Sequence, residues 1–155
     1  MLLVHIRWMI VQDLPQVLAI ESEVFEDDAW DGEEFKRWLK QRCVIGLVAE
    51  HDGEVVGYCV YEMTGNTTGG KTKARVVVNF VVAPEWQRNG VGRQIISKLV
   101  ERYTGPVIFE VSEYDLSMHL FLRAVGFRAK RVVRDYFESG SDAYIFTSRK
   151  SKASA

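Results

Sequence analysis

Apolar and polar residues follow each other in two rhythms along this chain, and each change of rhythm marks an element. Residues 4–8 read as a first strand. Asp13-Leu14-Pro15 reads as a helix start with Pro15 tolerated in the first turn, and Val17, Leu18, Val24 and Phe25 fall near helical spacing behind it. Glu26-Asp27-Asp28-Ala29-Trp30 is an acidic loop. Asp31 and Glu34 have the spacing of a capping box, ahead of a short helix with Phe35, Trp38 and Leu39 on one stripe. Residues 44–51 and 54–64 are predicted strands around Asp52-Gly53, a dipeptide that tolerates the positive φ of a tight hairpin. A polar, mobile loop with Gly65, Gly69 and Gly70 is expected at 64–73.

The second half repeats the alternation of strand and helix. A valine-rich strand is predicted at 74–82 and a helix at 90–103, ended by Gly105-Pro106. A strand follows at 107–111. Asp115 is placed to cap a helix over 116–125 that Gly126 closes. Residues 128–137 and 142–147 make a last strand pair around Ser139-Gly140, and 148–155 form a polar, basic tail expected to be disordered. The order β-α-α-β-β-β-α-β-α-β-β predicts an α/β (α+β) fold. It is read as a single domain over 1–147, with a mixed, mostly antiparallel sheet and helices on both faces.

Composition narrows this picture only a little. The chain has 155 residues, 47% hydrophobic and 26% charged, which suits one ordinary globular domain. No apolar run nears the roughly 18 residues of a membrane span, and the start has no secretory pattern, so a cytoplasmic protein off the membrane is expected. Cys43 and Cys59 form no C-x-x-C pair and read as buried, reduced thiols. His5, His51 and His119 are isolated, so no metal is expected. The net charge of −1 hides an asymmetry: residues 1–62 hold 13 acidic and 5 basic side chains, residues 63–155 hold 8 and 15. A basic half suits an anionic cofactor and an acidic half a cationic acceptor. The scattered basic residues argue against nucleic acid.

Candidate chemistry concentrates where the valine-rich strand ends. Ala83-Pro84-Glu85-Trp86-Gln87-Arg88-Asn89-Gly90-Val91-Gly92-Arg93 reads as a turn, an anion loop and a helix start. Backbone N–H groups at such a start attract phosphate, and Gly90 and Gly92 remove side chains that would hold a ligand away. Arg88 and Arg93 add positive charge. Gly92 is followed by Arg93-Gln94, so the lysine and hydroxyl of a Walker loop are absent. Ile95 stands where a dinucleotide fingerprint needs its third glycine.

What remains, Q-R-N-G-V-G, resembles the Q/R-x-x-G-x-G/A signature of the GCN5-related N-acetyltransferases, and the element order resembles their fold over nearly the whole chain. Ile20-Glu21, Phe25 with Trp30, the run Val48-Ala49-Glu50 to Tyr58, Asn79, Phe109-Glu110-Val111, Gly126-Phe127 and Arg134-Asp135-Tyr136 resemble the ribosomal-protein-alanine branch, which acetylates protein N-termini. The resemblance implies acetyl-coenzyme A as co-substrate, its pyrophosphate on Gln87, Arg88, Asn89, Gly90, Val91, Gly92 and Arg93. It implies that the backbone of Phe80, Val81 and Val82 holds the pantetheine arm and thioester oxygen. Asp115 replaces an asparagine that often contacts the coenzyme, Ala29 a proline, and Leu122 the usual tyrosine acid.

Transfer of an acetyl group from a thioester to an amine needs a neutral amine, a stabilised carbonyl oxygen and a leaving thiolate. The resemblance makes Glu110 the base, and partial burial in its apolar strand would strengthen it as a proton acceptor. With Leu122 unable to donate a proton, Tyr114 is the nearest tyrosine to Glu110 in sequence and Tyr136 a second candidate. The acidic loop 26–30 and the turn 137–140 are candidate walls of an acceptor slot. The expected acceptor is a protein or peptide α-amine. A small amine, or a coenzyme-binding sensor without catalysis, are the competing readings.

Overall fold

The computed structural model describes residues 1–64 and 73–148; the expectations for residues 65–72 and for the tail beyond Ser148 fall outside them. The strands are β1 (His5–Trp8), β2 (Val44–His51), β3 (Glu54–Thr64), β4 (Ala74–Val82), β5 (Val107–Ser112), β6 (Arg128–Val133) and β7 (Ala143–Thr147). The α-helices are α1 (Leu14–Phe25), α2 (Gly32–Leu39), α3 (Val91–Val100) and α4 (Leu116–Ala124), in the expected order. The fold is α/β, with a mixed sheet in the order β1-β2-β3-β4-β5-β7-β6. Pairs β1–β2, β2–β3, β5–β7 and β6–β7 are antiparallel and β4–β5 is parallel.

Local chemistry explains the boundaries that match. Asp31 accepts from Glu34 N–H at 2.9 Å and Glu34 accepts from Asp31 N–H at 3.0 Å, so the capping box forms as read. Asp52 and Gly53 both take positive φ, 48° and 80°, and turn the β2–β3 hairpin.

Three expectations shift. Helix α3 stops at Val100 and not at Tyr103, because Arg102 takes a left-handed φ of 52° that a right-handed helix cannot continue. Strand β6 stops at Val133 and not at Phe137. There Asp142 accepts the N–H of Asp135 at 2.9 Å, Asp135 takes φ 52°, and the N–H groups of Tyr136 and Phe137 both donate to Ser141 O. In α1 the buried face is Leu14, Val17, Ile20 and Glu21, while Phe25 at the helix end stays exposed.

The chain divides into two compact units: residues 1–62 with 79–98, and residues 63–78 with those from 99 onward. In the first unit the core includes Val17, Phe35, Val48, Tyr58 and Ile95. A Cβ on Gly57 would sit 2.9 Å from Val81 O, so glycine there permits the close approach of β3 to the end of β4. Arg7 grips Asp13 with two 2.8 Å bonds and Glu50 with a third, joining β1 to the start of α1 and to β2. Those bonds hold the Asp13 carboxyl below its usual range. In the second unit Phe109 meets Phe127 edge-on at 5.4 Å beside buried Leu122 and Phe146. Among the described residues no helix is long and apolar enough to cross a membrane. Cys59 is buried and unbridged, its thiol pushed up by burial; Cys43, expected to be buried, is half-buried just before β2, with its Sγ 3.8 Å from Glu62.

Candidate active site

The anion loop belongs wholly to the first unit. Ala83 N–H donates to Val56 O, and Pro84–Trp86 form a single 3₁₀ turn. Gln87 Nε2 donates to Val82 O at 3.1 Å, and Asn89 Nδ2 donates to Trp86 O and Gln87 O at 3.3 and 3.0 Å. These two side chains therefore shape the loop by occupying its own carbonyls. Arg88 (φ 62°) and Gly90 (φ 80°) both take left-handed backbone, the first at a steric cost of roughly 1–2 kcal/mol. The first bond of α3 runs from Gln94 N–H to Gly90 O at 3.1 Å. The N–H groups of Val91, Gly92 and Arg93 precede it and carry the positive end of the helix dipole.

Arg88 and Arg93 are exposed beside those donors, whereas the Val91 side chain is buried and fixes the helix start in the core. Fixed donors, two exposed guanidinium groups and a glycine at the turn fit a pyrophosphate. Gln94 braces the same corner, donating to Leu2 O and Gly90 O and accepting from Val4 N–H. Upstream, Val81 is buried and Phe80 and Val82 half-buried at the end of β4.

Sequence reasoning missed what lies one residue before Phe80. Glu21 on α1 is 1% exposed, and its carboxylate gathers three donors. The Tyr58 hydroxyl donates to Oε2, Asn79 Nδ2 donates to the same oxygen at 2.9 Å, and Trp30 N–H donates to Oε1 at 3.1 Å. Burial first, then the bond to Glu21, pushes the Tyr58 hydroxyl well above its ordinary value. A signal was present: Glu21 lies four residues after Val17 and next to Ile20, on the apolar stripe of α1.

In the second unit β5 alternates, with Val107, Phe109 and Val111 buried and Glu110 exposed on the other face. The expectation that Glu110 is partly buried fails for that reason. Its Oε2 accepts the Tyr136 hydroxyl, and that bond, with burial and the neighbouring charge behind it, pushes Tyr136 up to about 12. The turn after β6 delivers Tyr136, through the Asp135–Asp142 and Tyr136–Ser141 bonds. Tyr114 is 81% exposed in the turn after β5, and the hydroxyl that reaches Glu110 is Tyr136's. Asp115 caps α4 by accepting from Met118 N–H at 3.2 Å, and Leu122 is fully buried on that helix. His119 Nε2–H donates to Ser112 O at 2.9 Å, and the ring packs edge-on against Tyr144 and Phe146. Among the described residues no group of three or more His, Cys, Asp or Glu is placed to hold a metal.

Comparison with known proteins adds the identity of the scaffold. Residues 11–127 match the model of the Acetyltransferase (GNAT) family. The N-alpha-acetyltransferase RimI of Mycobacterium tuberculosis (strain ATCC 25618 / H37Rv) is 29% identical over 136 residues, 85% of this chain and 84% of that protein. The crystal structure of the ribosomal-protein-S18-alanine N-acetyltransferase from Escherichia coli superposes with a TM-score of 0.79 at 20% identity, over 97% of this chain and 96% of that one. Arabidopsis thaliana NAA60 in complex with acetyl-CoA gives 0.77 at 15% identity, over 94% and 98%.

Proposed function

We propose that this chain, which belongs to the GNAT acetyltransferase family and is an acetyl-coenzyme A-dependent N-acetyltransferase, takes as acceptor the α-amine of a protein or peptide N-terminus. Acetyl-coenzyme A supplies the acetyl group as a thioester. The N–H groups of Val91–Arg93, with Arg88 and Arg93, bind its pyrophosphate, and the backbone of Phe80–Val82 receives the arm and the thioester oxygen. Asp115 lies at the start of α4 as a further contact.

The observation that carries the chemistry is the exposed Glu110 carboxylate holding a tyrosine hydroxyl. Its Oε2 is engaged by Tyr136, which leaves Oε1 to take a proton from the acceptor amine. An α-amine, with a pKa of about 7.7–8.0, is partly neutral at neutral pH; a lysine, at about 10.4, demands far more of any base. Tyr136 orients the carboxylate. Tyr114 is the proposed donor to the leaving sulfur, a secondary task because a thiolate with a conjugate acid near pKa ~8.5 leaves without full protonation.

One feature suits a cationic acceptor in general, and a second favours a peptide end over a small amine. Glu26, Asp27 and Asp28 are exposed, and none forms an ion pair among the described residues, so they favour a cationic acceptor. The relative matched across most of both lengths is itself an N-alpha-acetyltransferase. The test is turnover of peptides with free N-termini against a panel of polyamines, amino acids and aminoglycosides, followed by thiol release. Peptide turnover with little reaction of the small amines is expected; the opposite result overturns the acceptor reading.

A further inference from the structure

Glu21 has no part in that chemistry, yet it is a nearly inaccessible carboxylate in a protein whose candidate base is exposed. Removing a carboxylate from water costs several kcal/mol unless its lone pairs are filled. Here three donors meet it from three separate segments of one unit: the backbone of Trp30, the side chain of Tyr58 on β3 and the side chain of Asn79 on β4. One bond goes to the end of the acidic loop. Another goes to the residue that precedes Phe80–Val82.

The loop between α1 and α2 is built around that carboxylate. It leaves α1 through Glu26, whose φ of 51° is left-handed backbone at a non-glycine residue, and runs through the 3₁₀ turn Glu26–Asp28. At its far end Trp30 is held three ways. Its N–H is on Glu21, its ring stacks on Trp38 at 5.6 Å and 7° between planes, and its edge meets Phe35 at 5.1 Å. Asp31, next in sequence, caps α2. A loop tied so firmly at its exit presents the exposed carboxylates of Glu26, Asp27 and Asp28 with little conformational freedom left to lose on binding.

We infer that Glu21 is a positioning residue for the acceptor: its buried carboxylate sets the Glu26–Trp30 loop in register with β4, so that the acceptor amine is received by an already ordered wall. The inference rests on the reading of that loop as an acceptor wall. It assigns Glu21 no contact with either substrate.

The test separates positioning from mere support. Glu21→Gln keeps the size but turns one oxygen into a donor facing the donors of Tyr58 and Asn79. In the full chain, KM for an acceptor peptide is expected to rise at least fivefold, while the Kd for acetyl-coenzyme A from calorimetry changes less than twofold. The double variant Glu21→Gln with Asn79→Asp restores donor-to-acceptor complementarity with the charge moved across the bond, and should recover most of the lost KM. Tyr58→Phe, which removes one donor and leaves the Trp30 bond, should give the same split at about twofold; it serves if Glu21→Gln does not fold. A peptide KM that stays put in a folded variant overturns the inference, as does a peptide KM that rises in step with the coenzyme Kd. If the wild-type enzyme accepts only small amines, the acceptor reading has failed and the same split is read on the small amine. A rise in its KM with coenzyme Kd unmoved upholds the positioning role, and no rise rejects it.

Discussion

Two glutamates divide the work of this molecule by their surroundings. Glu21 sits on α1 at 1% exposure with both oxygens occupied by three donors. Glu110 sits on the exposed face of β5 with one oxygen occupied by one hydroxyl. A carboxylate held by three donors and buried from solvent is a structural knot, poorly placed to meet a proton from outside. A carboxylate with one oxygen turned to solvent can exchange a proton and remain oriented. The same side chain is thus a joint in one place and a candidate base in the other, and the difference lies in how many donors the fold aims at it.

The largest effect expected from this contrast is on stability. Glu21→Leu leaves the Tyr58 hydroxyl, the Asn79 amide and the Trp30 N–H without their acceptor in the core. Breaking a buried, hydrogen-bonded charged group from one side destabilises by about 3 kcal/mol. The fall should appear as a lower denaturant midpoint at unchanged slope. Glu110→Leu, at an exposed position, loses only its bond to the Tyr136 hydroxyl and should cost roughly 1 kcal/mol, with a correspondingly smaller midpoint shift. Equal midpoint shifts for the two variants would abolish the distinction between joint and base.

Next in size is the effect on rate. Glu110→Gln should lower turnover at neutral pH at least tenfold, about 1.4 kcal/mol in barrier, with coenzyme affinity unchanged. Rates equal to wild type across pH 6–9 would remove Glu110 as the base. Smaller again is the response of the two tyrosines. Tyr136→Phe should slow turnover about threefold to fivefold, the effect of losing one orienting hydrogen bond of roughly 1 kcal/mol. Tyr114→Phe should change it less than threefold, because the leaving thiolate tolerates the loss. A reversal of that order would make Tyr114 the more important hydroxyl.

The comparison also shows what a sequence makes legible. The turn and helix start after β4 are readable because everything that defines them is local: Ala83-Pro84 to turn the chain, Gly90 to take positive φ, and a helical stripe from Val91. Even there the side chains of Gln87 and Asn89, expected to face the pyrophosphate, donate to Val82, Trp86 and Gln87 carbonyls, a detail that spacing cannot show. The Glu110–Tyr136 bond spans 26 residues and depends on how residues 134–142 turn, of which 134–137 read as strand. The Glu21 knot spans up to 58 residues. Glu21, Trp30, Tyr58 and Asn79 each carry part of the family resemblance, but nothing in their spacing says that they meet. Only the position of Glu21 on an apolar stripe betrayed it.

The smallest effect is the finest probe of the pair. Tyr136 is pushed up to about 12 by its bond to Glu110 first, so it should remain protonated through the neutral range and ionise well after an ordinary tyrosine near pKa ~10. The sign follows from which form the fold favours. The folded state holds the protonated hydroxyl, so the stability contributed by this bond is full below about pH 10. It is lost as pH rises through the folded value near 12. A difference titration of wild type against Tyr136→Phe by tyrosinate absorbance isolates this one group among six tyrosines. Repeated in the Glu110→Gln background, the same titration should move back towards 10, because a neutral amide neither holds the proton as firmly nor repels the phenolate. If Tyr136 titrates at the same pH with and without the Glu110 charge, the bond is not what sets it. The orienting role assigned to that hydroxyl falls, while Glu21, itself buried from solvent, keeps its own.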